Sequence, residues 1–238
     1  MKKMSFYLLL QFSTLSFAYD FELESAEYQT QIIELFTSQG CSSCPPADRW
    51  FSTLKNQPGL WQRFIPLAYH VNYWDYIGWK DKYASPKNSI RQSLHKKVGN
   101  IRSIYTPGVI KAGQEWRYWG NQAINKSSLD VGQLKLVLKD DDLTATFNAK
   151  GKFASYNLTI ALLAMDIETK VKAGENAGED LKQDFVVLKQ QTYTANKPSL
   201  QLNLDHSFFK SNHEKLAFVA WVEFELNPTP IQAVGKLL

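Results

Sequence analysis

The chain is poor in cysteine: it holds two, Cys41 and Cys44, and no third to cross-link a distant segment. That excludes the multi-disulfide framework of small secreted scaffolds. After the first eighteen residues no long apolar run occurs, so nothing there reads as a membrane-spanning helix. Basic runs are also missing, Lys96-Lys97 being the longest. The 27 Lys and Arg against 23 Asp and Glu give +4, and without Lys2 and Lys3 the balance is 25 against 23, or +2. Charge so even and dispersed leaves no nucleic-acid footprint, and nucleic acid is excluded as a partner. Internal repeats and low-complexity tracts are absent as well.

What is present is a globular composition, 44% hydrophobic and 13% aromatic. Residues 1–18 differ in kind. Lys2 and Lys3 form a positive start, Ser5 to Phe17 is an apolar stretch too short and too polar to span a bilayer comfortably, and Ser16-Phe17-Ala18 places small residues at a cleavage site. This pattern predicts a signal peptide cleaved after Ala18, with an uncleaved anchor as the alternative. Either way the rest of the chain is expected to be periplasmic or secreted, with no transmembrane segment after cleavage.

Along the mature chain, Gln31 to Phe36 reads as a buried strand and Thr37 to Gly40 as its exit turn. Ala47, Trp50, Phe51 and Leu54 are apolar at helical spacing up to Pro58-Gly59, and Phe64 to Val71 is a second strand. Strand, helix, strand in this order predicts a parallel βαβ crossover in an α/β domain over residues 28–129. A polar helix is expected from about Pro86 to Lys97, then a hairpin turning at Lys111 to Gln114. From Gly132 the pattern becomes β-rich. Strands at Leu134–Leu138, Leu143–Phe147, Leu158–Met165, Phe185–Thr194, Leu200–Leu204, Leu216–Phe224 and Ile231–Leu237 predict an all-β antiparallel sandwich domain over 132–238. Between them, Gly174-Glu175-Asn176-Ala177-Gly178-Glu179-Asp180 is a glycine-punctuated acidic loop, either a plain exposed hairpin loop or an element facing the first domain.

Cys41-Ser42-Ser43-Cys44 carries the chemistry. As a stabilising staple it is weak: loop entropy gives roughly 2 kcal/mol for so short a loop, against about 4.7 for a hundred-residue one. Structural zinc wants four ligands, and His70 and His95 lie at spacings unlike a finger or ribbon. Covalent haem needs a histidine directly after the second cysteine, where Pro45 stands. A redox dithiol remains, placed where a strand turns into a helix, so that unpaired N–H groups and the helix dipole favour thiolate. Pro45-Pro46 opposes this in part, because proline removes N–H groups and disfavours helical geometry before it.

Three blocks, Glu34 to Asp48, His70 to Asp81 and Tyr105-Thr106-Pro107, resemble the thioredoxin superfamily over residues 31 to about 119. More narrowly they resemble a family of secreted bacterial proteins of unassigned function with a thioredoxin-like N-terminal domain; Gly174 to Gly178 extends the resemblance into the second half. It implies that Cys41 attacks and Cys44 resolves, that Thr106-Pro107 is a cis dipeptide beside the disulfide, and that Glu34 stands near a buried acid relaying the proton of Cys44. The aromatic insertion His70 to Lys80 is either a small core of its own or a groove wall of Tyr73, Trp74 and Trp79 beside Cys41, with Asp75 positioning His70 or Lys80.

The leading expectation is an exported thiol–disulfide oxidoreductase acting on protein or small-thiol substrates with an unidentified redox partner, needing no cofactor beyond the Cys41–Cys44 disulfide. Two alternatives stay open: a copper-binding or copper-delivery protein using Cys41, Cys44 and His70, and a non-catalytic interaction protein working through its sandwich.

Overall fold

The computed structural model describes residues 19–151 and 155–238; the expected signal segment, residues 1–18, lies outside the described residues. In chain order the elements are β1 (Phe21–Glu24), β2 (Gln31–Thr37), α1 (Pro45–Thr53), β3 (Phe64–His70), α2 (Pro86–Lys97), β4 (Gly108–Lys111), β5 (Gln114–Glu115) and β6 (Gly132–Lys139). There follow β7 (Asp142–Ala149), β8 (Tyr156–Ala164), β9 (Ile167–Lys170), β10 (Asp180–Gln183), β11 (Val186–Ala195), β12 (Ser199–Asn203), β13 (Leu216–Phe224) and β14 (Asn227–Leu237). The protein is mixed α/β, mostly strands with two α-helices among the described residues.

Both β2 and β3 are buried at every position, as strands covered on both faces must be. They pair in parallel from Gln31↔Phe64 to Thr37↔His70, with α1 as the crossover, while β4 lies antiparallel on the other side of β2 and turns into β5. The larger sheet does not end there. Its order is β14-β13-β8-β11-β3-β2-β4-β5, eight strands drawn from both sides of the boundary expected at 129–132. The joint is narrow: β11 runs parallel to β3 at Val186↔Ala68, and Ala68 N–H donates to Phe185 O at 2.8 Å. Pro66 limits it at one end. Alternate N–H groups of a strand point to the same neighbour, so the rung beside Ala68 falls on a residue with no N–H to give.

All seven strands expected after Gly132 form, as β6, β7, β8, β11, β12, β13 and β14. They make two layers. A four-stranded antiparallel sheet, β1-β6-β7-β12, packs over the β14-β13-β8 part of the larger sheet, with Phe21 against Phe218 of β13 and Phe147 against Tyr156 of β8. The inward residues Leu134, Leu136 and Leu138 of β6 alternate with exposed or half-buried ones, the period-two signature of a one-faced strand. These side chains belong to one continuous hydrophobic core with Ile33, Leu35 and Phe51. The hairpin β9–β10 was not legible as strands, and among the described strands the two pair only with each other.

Buried ions cross the joint. Arg91 of α2 donates from Nε to Glu34 Oε2 at 2.7 Å on β2 and from Nη1 to Glu223 Oε2 at 3.2 Å on β13. Its guanidinium also lies over the Tyr69 and Trp221 rings.

Candidate functional site

The two cysteines are disulfide-bonded. Ser38 and Cys41 carbonyls accept the N–H groups of Cys41 and Cys44 at 3.1 Å each, a pair of tight turns leading from β2 into α1. The helix starts at Pro45 without delay. Both prolines occupy its first turn, where N–H groups have no helical acceptor anyway and where proline's fixed φ is already helical. Cys44 stands at the N-cap with no side-chain cap. Ser43 Oγ lies 3.4 Å from Cys41 Sγ, while Ser42 faces out. Yet the disulfide itself is covered: Cys41 is 1% exposed and Cys44 fully buried.

The β9–β10 loop packs on this turn. Asn176 Nδ2 donates to Gln39 O at 2.8 Å and Cys41 O at 3.0 Å, and Ser42 N–H donates to Glu175 Oε2 at 3.3 Å. The acidic loop therefore faces the dithiol. Gly174, with φ of +78°, presses on Trp79: a Cβ there would stand 3.1 Å from that residue's Cβ. Below it runs a buried amide chain. Trp79 Nε1 donates to Gln39 Oε1, Gln39 Nε2 donates to Gln183 Oε1, and Gln183 Nε2 donates to Asp48 Oδ2.

Asp48 is the functional candidate that sequence reasoning missed. It sits one helical turn after Cys44, wholly buried, and burial raises its carboxyl to about 6 although His70, Thr37 and Gln183 pull it down. Thr37 Oγ1 donates to its Oδ1 at 2.8 Å. The position carried a signal: an acid four residues after the second cysteine, on the face of Ala47 and Phe51, must be buried with them.

Glu34 behaves differently from the acid expected there. Burial would raise it, but Arg91 and His95, whose Nε2 lies 3.2 Å from Oε2, outweigh burial and hold it at about 2. It is a permanently charged structural partner of α2, and the titratable carboxyl is Asp48.

His70, at the end of β3, is fully buried. Asp81, not Asp75, holds it, with Oδ2 at 2.7 Å from Nδ1. Asp75 acts one step back, accepting Asp81 N–H at 3.2 Å. Burial alone would depress the imidazole; Asp81 and Asp48 outweigh it and keep it above its usual value. Its Nε2 has no hydrogen-bond partner among the described residues. Lys80 is exposed. For copper, both thiols are consumed in their own bond. Among the described residues no three His, Cys, Asp or Glu side chains are grouped to hold a metal ion.

The aromatic insertion wraps the same corner. Trp74 Nε1 donates to Thr106 Oγ1 at 2.7 Å, and the Trp74 backbone and Cβ close over Gly40, where an added Cβ would meet them at 3.3–3.4 Å. Tyr73 Oη donates to Gln92 Oε1, and burial pushes its phenol to about 12. The Thr106-Pro107 peptide bond is cis. Beside Pro107 a shallow cleft is lined by Ser103, Tyr105, Arg117 and Trp119, and Trp119 packs against Trp50 of α1 with ring centroids 4.5 Å apart and planes tilted by 40°. Trp74 and Trp79 are thus half-buried braces of the cysteine turn, Tyr73 reaches α2 instead, and the open cleft lies on the Pro107 side.

A mixed-sheet α/β protein with a covered Cys-x-x-Cys disulfide is the class these features define. The chain belongs to the DUF1223 family, described as a protein of unknown function, whose model matches residues 32–223. No curated protein matches it. Among solved structures it is similar to a crystal structure of protein AtR35 from Agrobacterium tumefaciens. That match has a TM-score of 0.61 at 21% identity, over 90% of this chain and 96% of the other. HBP35 of Porphyromonas gingivalis is similar with a TM-score of 0.55 at 12% identity, over 89% of this chain and 76% of that one. At these identities the likeness concerns the fold alone.

Proposed function

We propose that the protein is an exported thiol–disulfide oxidoreductase whose residues 28–129 form a thioredoxin-like unit and whose C-terminal strands extend that unit's sheet. The observation that carries this reading is the Cys41–Cys44 disulfide at the turn from β2 into the first turn of α1. The parallel β2–α1–β3 unit, followed by the antiparallel β4–β5 hairpin entered through Thr106-Pro107, supports it.

In the oxidising direction a substrate thiolate attacks Cys41 Sγ, the Cys41–Cys44 bond breaks, and Cys44 leaves as thiolate. A second substrate thiol then attacks its own sulfur in the mixed disulfide and releases Cys41. Two electrons pass from the substrate dithiol to the protein, which a redox partner re-oxidises. The nearby proton-exchanging group in this reading is Asp48, poised near neutrality one turn beyond Cys44. Substrates are exported proteins or small thiols in the periplasm or outside the cell.

Trapping tests the proposal. With Cys44→Ala, the Cys41 thiolate attacks a substrate disulfide and displaces one substrate thiolate, and with no resolving partner the mixed disulfide accumulates until reductant releases it. If no such adduct forms in cells expressing the variant, the exchange reading is lost.

A further inference from the structure

An exchange reaction needs a sulfur that an incoming thiolate can approach along the S–S axis, and Cys41, at 1% exposure, offers no approach. One element is bonded directly to the turn that carries it. Residues 171–179 join β9 to β10, a pair of four-residue strands bonded only to each other among the described strands. Gly174 and Gly178, both at positive φ, bracket the tip that carries Glu175 and Asn176. That tip binds the cysteine turn through polar groups: Asn176 Nδ2 to two main-chain carbonyls, and Glu175 Oε2 to the Ser42 N–H. An amide side chain on main-chain carbonyls is the contact that the main-chain N–H of an extended peptide would make in its place.

Resting on the exchange reading above, we propose that the tip of the β9–β10 hairpin, residues 172–179, is a flap that gates the disulfide, with Asn176 as its latch, and that substrate peptide replaces Asn176 on the Gln39 and Cys41 carbonyls. With the flap closed the oxidised protein is shielded from small thiols. Opening exposes Cys41 Sγ and frees the two carbonyls for the substrate's backbone. Glu175 reinforces the closed state, because its carboxylate sits on an N–H at the very turn where a Cys41 thiolate would develop. The strands are anchored by buried Ile167, Val171 and Leu181, whereas the tip beyond them is held by the polar contacts of Glu175 and Asn176, so it is the tip, residues 172–179, that opens at low cost.

The test uses the oxidised full-length protein and dithiothreitol, quenching by alkylation and counting labelled cysteines by mass. Dithiothreitol thiolate attacks Cys41 Sγ, Cys44 departs as thiolate, and the reductant's second thiol closes its ring and releases Cys41. Two electrons and two protons move to the protein. Asn176→Ala is expected to raise the second-order rate constant by roughly tenfold or more through loss of two buried donors. Lys172→Ala, exposed on the same loop, is expected to leave it unchanged. Should Asn176→Ala not fold, Asn176→Asp removes the donors at constant shape and is expected to act in the same direction. The flap is overturned if the latch variant reacts at the wild-type rate, or if wild type already reacts as fast as an unhindered model disulfide. A gated dithiothreitol reaction without any trapped adduct in the Cys44→Ala cells would sink the exchange reading and keep the gate.

Discussion

Asp48 concentrates what single residues contribute. The folded protein keeps its proton up to about pH 6, whereas the unfolded chain gives it up near 3.8. In the window between, the folded state binds more protons, so this group lowers stability as pH rises from about 4 to about 6, by roughly 3 kcal/mol in all. Asp48→Asn abolishes the effect. Urea unfolding of both proteins from pH 4 to 7 should show wild type losing ground to the variant across that window and then running parallel. A constant difference would mean that Asp48 is not the titrating group; His70 and Asp81 are present in both proteins and largely cancel. The contrast with Glu34 is instructive about what sequence can disclose. An acid within a buried strand is visible as an anomaly, but whether it is charged depends on Arg91 and His95, whose approach from α2 is a matter of three-dimensional packing. Asp48 was hidden for the opposite reason, since an acid in a helical first turn looks like an ordinary dipole partner.

At the level of elements, strands and helices were readable wherever periodicity or burial ran long enough. The β2 and β3 runs and the seven later strands all follow from apolar pattern, and α2 was legible as a polar helix. The β9–β10 hairpin did not, because each strand has four residues and its polar face is spent on contacts with the cysteine turn. Entry into β6 makes a sharper demand than any pattern. Gly132 sits at φ of +92°, and a Cβ there would lie 2.0 Å from Asn148 O. Gly132→Ala is therefore expected to cost about 2–3 kcal/mol, since the obstacle is backbone and cannot rotate away. Chemical denaturation of the variant checks this; a loss below about 0.5 kcal/mol would show that the strand entry yields easily.

Across the whole molecule, the eight-stranded sheet and the Arg91 cluster bind both halves into one core. Composition alone pointed to a seam at 129–132, because the strands on either side differ in pattern; it had no way to register that β11 returns to β3. One cooperative unfolding transition is expected, and a chain ending at residue 129 should not fold alone, with β3 bare along one edge. Arg91→Ala strips the shared cation from Glu34 and Glu223 and is expected to cost about 3–5 kcal/mol, as removal of one partner from a buried charge cluster does. In calorimetry it should lower the single transition as a whole. Two separate transitions, in wild type or variant, would contradict the joined core.

The narrow parallel rung between Ala68 and Val186 also sets a timetable. While the ribosome is still adding the intervening chain, β3 has no neighbour on that side, and its edge is open to any passing strand. Only late in its making does the piece arrive that seals the flank of the cysteine-bearing half.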